Sequence, residues 1–134
     1  HWSARGLGDR NKSLWGGWFM KFNSESIYHA GDTGYSNDFI ETRKRLGSPD
    51  LSLTPMGAYA PRWFMKTNHV NPEEAVQISL DLGSKQSLAM HWGTFLLTDE
   101  EVLEPPGLLK KALEEKNLDE GYFIALKPGE VFNL

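Results

Sequence analysis

Short apolar segments alternate with segments of helical periodicity along most of the chain, and this order constrains the fold more than any other feature. Residues 14–22 and 27–30 predict a first β-hairpin, and residues 50–56 and 87–90 predict two further strands. Helical segments separate these strands, and residues 122–134 predict a closing hairpin. Such alternation is typical of an α/β fold, in which helices pack on a sheet and functional residues lie where strands end.

Three segments between the strands are predicted to be helical. The clearest signal is at residues 71–83, where an asparagine in a capping position precedes a proline and two acids, and a glycine ends the segment. Residues 36–47 begin with a serine that can cap a helix and end at a glycine. Residues 108–116 have the spacing of an amphipathic helix that follows a proline-rich start.

Composition and charge exclude several classes of protein and site. The 134 residues have a formal net charge of −4, so no nucleic-acid partner is expected. The chain has no cysteine, which excludes a disulfide framework and thiolate metal ligands and fits a reducing compartment. No apolar run is long enough for a transmembrane helix. We expect a protein of the cytoplasm or of a membrane surface, and a longer one than this chain, which opens at His1 without methionine.

A carboxylate stands where the predicted strand at residues 27–30 ends, within the sequence Gly31-Asp32-Thr33-Gly34. Glycine on either side permits a tight turn and lets a bulky group approach the backbone. The same residue types are common in simple β-turns, so this stretch alone leaves both interpretations open. Asp32 becomes a candidate functional residue only if side chains of suitable chemistry lie near it.

The chain has four histidines, and three of them, His1, His69 and His91, stand beside clear structural boundaries. His91 follows a predicted buried strand, as Asp32 does. Imidazole and carboxylate groups together suit a borderline cation such as Zn²⁺. No His-x-His or His-x₃-His pair occurs, so spacing alone does not distinguish a metal site from hydrogen-bonded structural histidines. We interpret His29, inside a predicted strand, as structural or partly exposed.

Residues 57–65 form a predicted loop with unusually many large side chains, among them Tyr59, Arg62 and Trp63. The loop is either a packed lid or a surface that recognises an apolar substrate or a membrane. Composition favours packing but does not exclude recognition.

Several longer stretches together resemble one known family. They are His-Trp-Ser at 1–3, Asn-Lys-Ser-Leu-Trp-Gly at 11–16, Ala-Gly-Asp-Thr-Gly-Tyr at 30–35, Gly-Ala-Tyr-Ala-Pro-Arg-Trp-Phe-Met-Lys at 57–66, His-Val-Asn-Pro-Glu-Glu-Ala at 69–75, Met-His-Trp-Gly-Thr-Phe at 90–95 and Leu-Glu-Pro-Pro at 103–106. In these stretches the chain resembles the C-terminal half of the metallo-β-lactamase-fold family that includes N-acylphosphatidylethanolamine-hydrolysing phospholipase D. They cover nearly the whole chain, in order.

The resemblance implies a role for each matching residue. His1 and His91 correspond to metal-binding histidines, and Asp32 corresponds to a catalytic aspartate that bridges two zinc ions. His69 corresponds to a catalytic histidine that is not a ligand and lies near the reacting phosphate. Arg62 either balances phosphate charge or has a packing role, and both interpretations stay open. The resemblance also suggests that the aromatic loop with Tyr59 and Trp63 contacts acyl chains or a bilayer.

The resemblance further implies how the chain is organised. The family's His-x-His-x-Asp-His motif, which supplies most ligands of one metal, is absent from this sequence. Residues 1–134 are therefore expected to form the C-terminal αβ half of a four-layer αββα sandwich, with a mixed sheet and helices on one face. The N-terminal half of the same protein is the expected partner.

Three functional hypotheses follow. The first is a zinc-dependent phosphodiesterase of phospholipase D type, which hydrolyses N-acylphosphatidylethanolamine to N-acylethanolamine and phosphatidic acid in the full-length protein. The second keeps the fold but places another ester or phosphodiester in the site. In the third, this chain by itself is a half-domain without catalytic activity.

Overall fold

A computed structural model describes residues 2–3, 6, 8–9, 12–14 and 16–134. Two short strands, β1 and β2, pair antiparallel, and five strands form the main sheet in the order β3-β4-β5-β6-β7. The strands are β1 (Trp2–Ser3), β2 (Ser13–Leu14), β3 (Trp18–Lys21), β4 (Ser26–His29), β5 (Leu51–Pro55), β6 (Gln86–Met90) and β7 (Phe123–Ile124). Strand β3 is antiparallel to β4, and the remaining neighbours in the main sheet are parallel.

Helices connect the parallel strands. They are α1 (Asp38–Leu46), α2 (Arg62–Met65), α3 (Pro72–Leu82) and α4 (Glu104–Glu115), and a 3₁₀ turn (Glu120–Tyr122) leads into β7. None of the helices in the described part of the chain has the length and apolar character needed to cross a membrane.

One face of the main sheet carries the hydrophobic core. Because side chains alternate between the faces of a strand, Tyr28, Ser52, Ser87 and Phe123 lie side by side in register on this face, and all four are buried. The ring of Tyr28 meets that of Phe39 in α1 edge to face, with 6.4 Å between centroids. The same apolar cluster includes residues of α3 and α4. The predicted α/β fold with a mixed sheet and helices on one face is confirmed.

The opposite face of the sheet is less well covered. His29, Leu53, Leu88 and Ile124 follow one another in register there, and each is only half-buried within the described part of the chain. Three of these four side chains are apolar. This face therefore contrasts with the buried face under the helices.

The predicted closing hairpin is wrong. Residues 123–124 do form a strand, but it pairs parallel with β6, and residues 125–134 contain no strand. The turn itself forms, since the backbone N–H of Glu130 donates to the carbonyl of Lys127 at 3.0 Å. Pro128 has no N–H for a ladder, and the edge beside β7 stays without an antiparallel partner in the described residues.

Two helix starts and one strand also differ from the prediction. Helix α4 begins at Glu104, because its two prolines fit the first turn, where backbone N–H groups need no partner within the helix. Helix α1 begins at Asp38, two residues after the expected capping serine. The strand predicted over residues 14–22 is interrupted at Gly16 and Gly17, and a side chain at Gly17 would collide with Tyr28.

Candidate metal centre

Three neighbouring parallel strands end at the same edge of the sheet, and the segments that follow them carry the candidate residues. Asp32 follows β4, Gly57 follows β5 and His91 follows β6. The ladder continues just past the strands, since Ala30 N–H donates to the carbonyl of Leu53 at 3.0 Å. In the next pair, Met56 N–H donates to the carbonyl of Met90 at 3.1 Å. This carboxyl edge therefore brings the segment after β4 close to the segment after β6.

His69 reaches the same edge from the segment between α2 and α3. Val70 N–H donates to the carbonyl of Thr33 at 3.0 Å, which joins this segment to the turn after Asp32. Gly34 makes the approach possible, because a methyl group at this position would overlap the carbonyl oxygen of Thr67. Chain positions 32 and 69 are thus held together by backbone contacts.

The side chains of Asp32, His69 and His91 form one cluster. Nδ1 of His69 lies 3.0 Å from Oδ1 of Asp32, and Nε2 of His91 lies 3.7 Å from Oδ2. One ligand atom from each residue lies within 4.8 Å of the other two. The Asp32 side chain is 53% exposed, whereas that of His69 is 19% exposed. The cluster is therefore open to solvent on the carboxylate side and enclosed on the His69 side.

The environment favours the ionised form of Asp32. Burial raises the pKa of its carboxyl group, but contact with His69 and the charges of His69 and His91 together lower it more. The pKa of Asp32 therefore lies below its ordinary value, and the group is a carboxylate at neutral pH.

The cluster fits a divalent cation. Nδ1 of His69 is buried and has no aligned hydrogen-bond partner among the described residues, despite its closeness to Asp32. A buried polar atom of this kind needs a partner, which a group bound beside Asp32 can supply. The carboxylate of Asp32 and the imidazole of His91 are donors that Zn²⁺ accepts, and their nearest atoms, 3.7 Å apart, fit one coordination sphere. Other divalent first-row metals accept the same donors.

The backbone at this edge is strained. His91 has a φ of +60°, in the left-handed region that residues other than glycine seldom adopt. Ala58, in the neighbouring segment, also has a φ of +60°. A methyl group on Gly57 would overlap the carbonyl oxygen of His91, so only glycine lets these two segments pack this closely.

Glu100 fixes the segment after β5, a role that the sequence did not indicate. Its Oε1 accepts a 2.6 Å hydrogen bond from Ala58 N–H, and its Oε2 accepts a 3.0 Å bond from Ala60 N–H. Burial raises the pKa of Glu100, but hydrogen bonds from Thr98 and from backbone N–H groups outweigh this effect and lower it. The glutamate lies about 40 residues from its partners, so no local pattern identifies it.

Three residues that, together with His69, were predicted to bind substrate lie in different environments. Tyr59 is buried, and its hydroxyl donates to Oε1 of Glu104 at 2.5 Å. Burial, followed by this bond and the charge of Glu104, raises the pKa of Tyr59 above its ordinary value. Trp63 is 85% exposed, with its ring 5.7 Å from that of Phe64. The guanidinium of Arg62 binds the carboxylate of Glu74 and the carbonyl of His69.

A cavity of about 270 Å³ adjoins the cluster. His91 forms part of its wall, and Gly57 and Ala58 lie beside it. Much of the remaining wall is apolar and comes from Trp92, Phe95, Leu97, Val102 and Pro105. An apolar space thus opens next to a group of polar, metal-type donors.

The other two histidines, His1 and His29, were predicted to be a metal ligand and a structural or partly exposed residue. His1, the third predicted metal ligand, lies outside the described residues. His29 is half-buried, and its Nδ1 accepts a 3.1 Å hydrogen bond from Gly31 N–H, which agrees with a structural role.

Comparisons with known proteins identify the family. Residues 1–92 match the family model of the beta-lactamase superfamily domain. The chain is 38% identical over 135 residues to N-acyl-phosphatidylethanolamine-hydrolyzing phospholipase D 1 of Caenorhabditis elegans, an alignment that covers 98% of this chain and 38% of the relative. It is 44% identical over 117 residues to the mitochondrial N-acyl-phosphatidylethanolamine-hydrolyzing phospholipase D of Saccharomyces cerevisiae, covering 85% of this chain and 25% of the relative.

A solved structure agrees at the level of the fold. The metallo-beta-lactamase fold protein YhfI of Bacillus subtilis superimposes with a TM-score of 0.61 and 22% identity, over 87% of this chain and 43% of that protein. The chain thus spans less than half the length of these proteins. The matched domain, the relatives and the fold lead to one conclusion: the chain belongs to the beta-lactamase superfamily.

Proposed function

We propose that this chain is the C-terminal half of a zinc-dependent phosphodiesterase that hydrolyses N-acylphosphatidylethanolamine to N-acylethanolamine and phosphatidic acid. The observation that carries the proposal is the cluster of Asp32, His69 and His91 at the carboxyl edge of the sheet. The names of two relatives, both phospholipases D of this substrate, support the choice of lipid.

Two zinc ions are proposed for the complete site. Asp32 would bridge them, and His91 and His1 would each contribute an imidazole. Bound divalent cations supply a water of lowered pKa and positive charge beside the phosphoryl oxygens. The remaining ligands are proposed to come from an N-terminal half of the same protein. The half-buried, largely apolar face of the sheet is where this half is proposed to pack.

His69 is proposed to act on the substrate phosphate. Its Nδ1 lies 3.0 Å from Oδ1 of Asp32, so the imidazole is directed toward this carboxylate. The same position is suited to a hydrogen bond or proton transfer toward a phosphoryl oxygen bound beside Asp32. Because the side chain is mostly enclosed, its orientation is set by the protein rather than by solvent.

The apolar parts of the substrate are proposed to use two surfaces. The cavity beside His91 would receive part of an acyl chain, because its wall is largely apolar and adjoins the reacting centre. The exposed pair Trp63 and Phe64 would contact the bilayer that contains the substrate. Exposed aromatic side chains are well suited to such an interface. Tyr59, buried against Glu104, would shape the loop that carries them.

The test is hydrolysis by the full-length protein, with both products measured by mass spectrometry. We expect N-acylethanolamine and phosphatidic acid in equal amounts, loss of activity with a chelator and recovery when Zn²⁺ is restored. A parallel panel of lactone, thioester and other phosphodiester substrates separates this lipid from other esters. Activity that survives the chelator, or a preference for another member of the panel, would contradict the proposal.

A further inference from the structure

Arg62, the first residue of α2, connects the two segments that flank His69. Its Nη1 donates to the carbonyl oxygen of His69 at 2.8 Å, and its Nη2 donates to Oε2 of Glu74 at 2.6 Å. We infer that Arg62, paired with Glu74, is a positioning residue for His69 and does not itself bind the substrate phosphate. The inference rests on the proposed function, in which His69 acts at the phosphoryl group.

The partner carboxylate is fixed on a rigid element. Glu74 lies in the first turn of α3, where its backbone N–H donates to Oδ1 of Asn71 at 2.9 Å. Its Oε2 also accepts from Asn71 N–H at 3.3 Å, which completes a capping box. The next two residues of the helix, Ala75 and Val76, are fully buried in the core. Arg62 is therefore anchored to a helix that packs in the hydrophobic core.

Both backbone polar groups of His69 are held by the short helix α2. Its N–H donates to the carbonyl of Met65 at 2.9 Å, and its carbonyl accepts from Arg62. The following residue, Val70, is bound to the turn after Asp32 through the carbonyl of Thr33. With its backbone fixed on both sides, the imidazole of His69 is directed toward Asp32. Removing the guanidinium removes one of the hydrogen bonds that hold the backbone of His69.

The charge of Arg62 is already balanced inside the protein. Its side chain is 31% exposed and that of Glu74 is 20% exposed, so the ion pair is partly shielded from solvent. A planar guanidinium can bind a carboxylate and a carbonyl at once, whereas a lysine ammonium has no such fixed geometry. An arginine that binds a phosphate directs its N–H groups toward the substrate. In Arg62, Nη1 and Nη2 instead donate to the carbonyl oxygen of His69 and to the carboxylate of Glu74.

The test measures kcat and KM of the full-length protein with detergent-dispersed N-acylphosphatidylethanolamine and with bis(p-nitrophenyl) phosphate, a generic phosphodiester. For Arg62→Lys we expect kcat to fall on the order of 10- to 100-fold through misplacement of His69, with KM nearly unchanged. Glu74→Gln retains a capping-box acceptor and should lower kcat in the same direction, by less. Arg45→Lys and Glu73→Gln, at exposed positions on α1 and α3, are the matched controls and should behave as wild type.

A double variant separates positioning from phosphate binding. If Arg62 acts through His69, Arg62→Lys has little further effect on kcat in a His69→Gln background. Independent, multiplying losses, or a raised KM with kcat retained, would show that Arg62 binds the phosphate directly and overturn the inference. If Arg62→Lys does not fold, the same cycle is run with Glu74→Gln.

The substrate pair distinguishes failure of the inference from failure of the proposed function. Hydrolysis of the generic phosphodiester without hydrolysis of the lipid would refute the lipid function, while the cycle would still test Arg62. Hydrolysis of neither substrate would overturn both. Amide hydrogen exchange adds a measurement without catalysis: Arg62→Lys should accelerate exchange at His69 and Val70, and unchanged exchange there would also count against positioning.

Discussion

The main sheet has an amino edge, where the parallel strands begin, and a carboxyl edge, where they end. Each carries an aspartate of lowered pKa, but the two aspartates have different surroundings. At the amino edge, Asp50 accepts hydrogen bonds from the N–H and hydroxyl of Ser26 at 2.7 and 2.9 Å and pairs with Lys85 at 2.6 Å. At the carboxyl edge, Asp32 faces two imidazoles and is 53% exposed. One carboxylate is surrounded by donors that serve the fold. The other remains accessible, beside groups that can bind a cation.

The backbones of the two edges differ in the same way. At the amino edge, Asp50 N–H donates to the carbonyl of Ser26 and Gln86 N–H donates to that of Asp50, so the ladder simply extends. At the carboxyl edge, Ala58 and His91 have positive φ angles. Strain of this kind persists where the surrounding structure holds it in place, and it accumulates at functional sites. The contrast predicts that substitutions at the carboxyl edge reduce activity, whereas substitutions at the amino edge affect stability without affecting activity.

The largest effect is expected for Asp32→Asn in the full-length protein. Loss of a residue that orients metal ligands typically costs 10- to 100-fold in activity or metal affinity, and loss of Asp32, the proposed bridging ligand, should cost on the order of 100-fold or more. The melting temperature of the metal-free protein should change little, because the side chain is half exposed. Hydrolysis rates, zinc content and thermal unfolding provide the measurements. Near-normal activity would show that Asp32 is not part of the active site.

Gly57→Ala should act on the same edge through the backbone. The added methyl group would overlap the carbonyl oxygen of His91, and relieving such overlap costs roughly 1–3 kcal/mol of unfolding free energy. Gly47→Ala is the control, because Gly47 has open space around it but a φ of +91° and a ψ of 177°, a conformation that costs a residue with a side chain about 1–3 kcal/mol. Both variants should be destabilised, as measured by denaturant unfolding, but only Gly57→Ala should also lose activity. Equal activity of the two variants would show that the packing of Gly57 against His91 does not affect the site.

Local patterns predicted the features that depend on neighbouring residues. The capping asparagine and proline at residues 71–72 started a helix as expected, and Asp32 and His91 were placed at strand ends by the apolar segments before them. In each case the signal and its structural consequence lie within a few positions of one another. This is why the α/β fold and part of the cluster could be read from the sequence.

Features that depend on distant partners could not be predicted in this way. Glu100 binds Ala58 across 42 positions, and nothing in its own neighbourhood indicates that contact. The residues at 130–134 have a plausible strand pattern, but β7 takes a parallel partner, β6, instead. The aromatic loop was predicted to be either packed or a recognition surface, but its residues differ: Tyr59 is buried and Trp63 is exposed. Their sequence positions differ by four, but tertiary packing alone decides which one faces solvent.

Asp50→Asn should affect stability without affecting hydrolysis. Hydrogen bonds and charge from Lys85, together with hydrogen bonds from Ser26, lower the pKa of Asp50 from an ordinary 3.8 to about 2. Its stabilising contribution is therefore present above about pH 4 and is lost as the pH falls toward 2. Denaturant unfolding should show a less stable variant at pH 7 and a shrinking difference from wild type below pH 4. A difference that stays constant with pH would mean that the charge of Asp50 is not what stabilises this edge.

The smallest effect is expected for the exposed aromatic residues of the two edges. Trp63 is 85% exposed beyond the carboxyl edge, and Phe22 is 57% exposed in the turn after β3, at the amino edge. Truncation of either to alanine should change the unfolding free energy by no more than about 0.5 kcal/mol, because neither is packed in the core. If Trp63 contacts the bilayer, Trp63→Ala should weaken sedimentation of the full-length protein with vesicles that contain N-acylphosphatidylethanolamine, whereas Phe22→Ala should not. Equal binding by both variants would confine the difference between the edges to the cluster around Asp32, and would leave the lipid to be recognised inside the site.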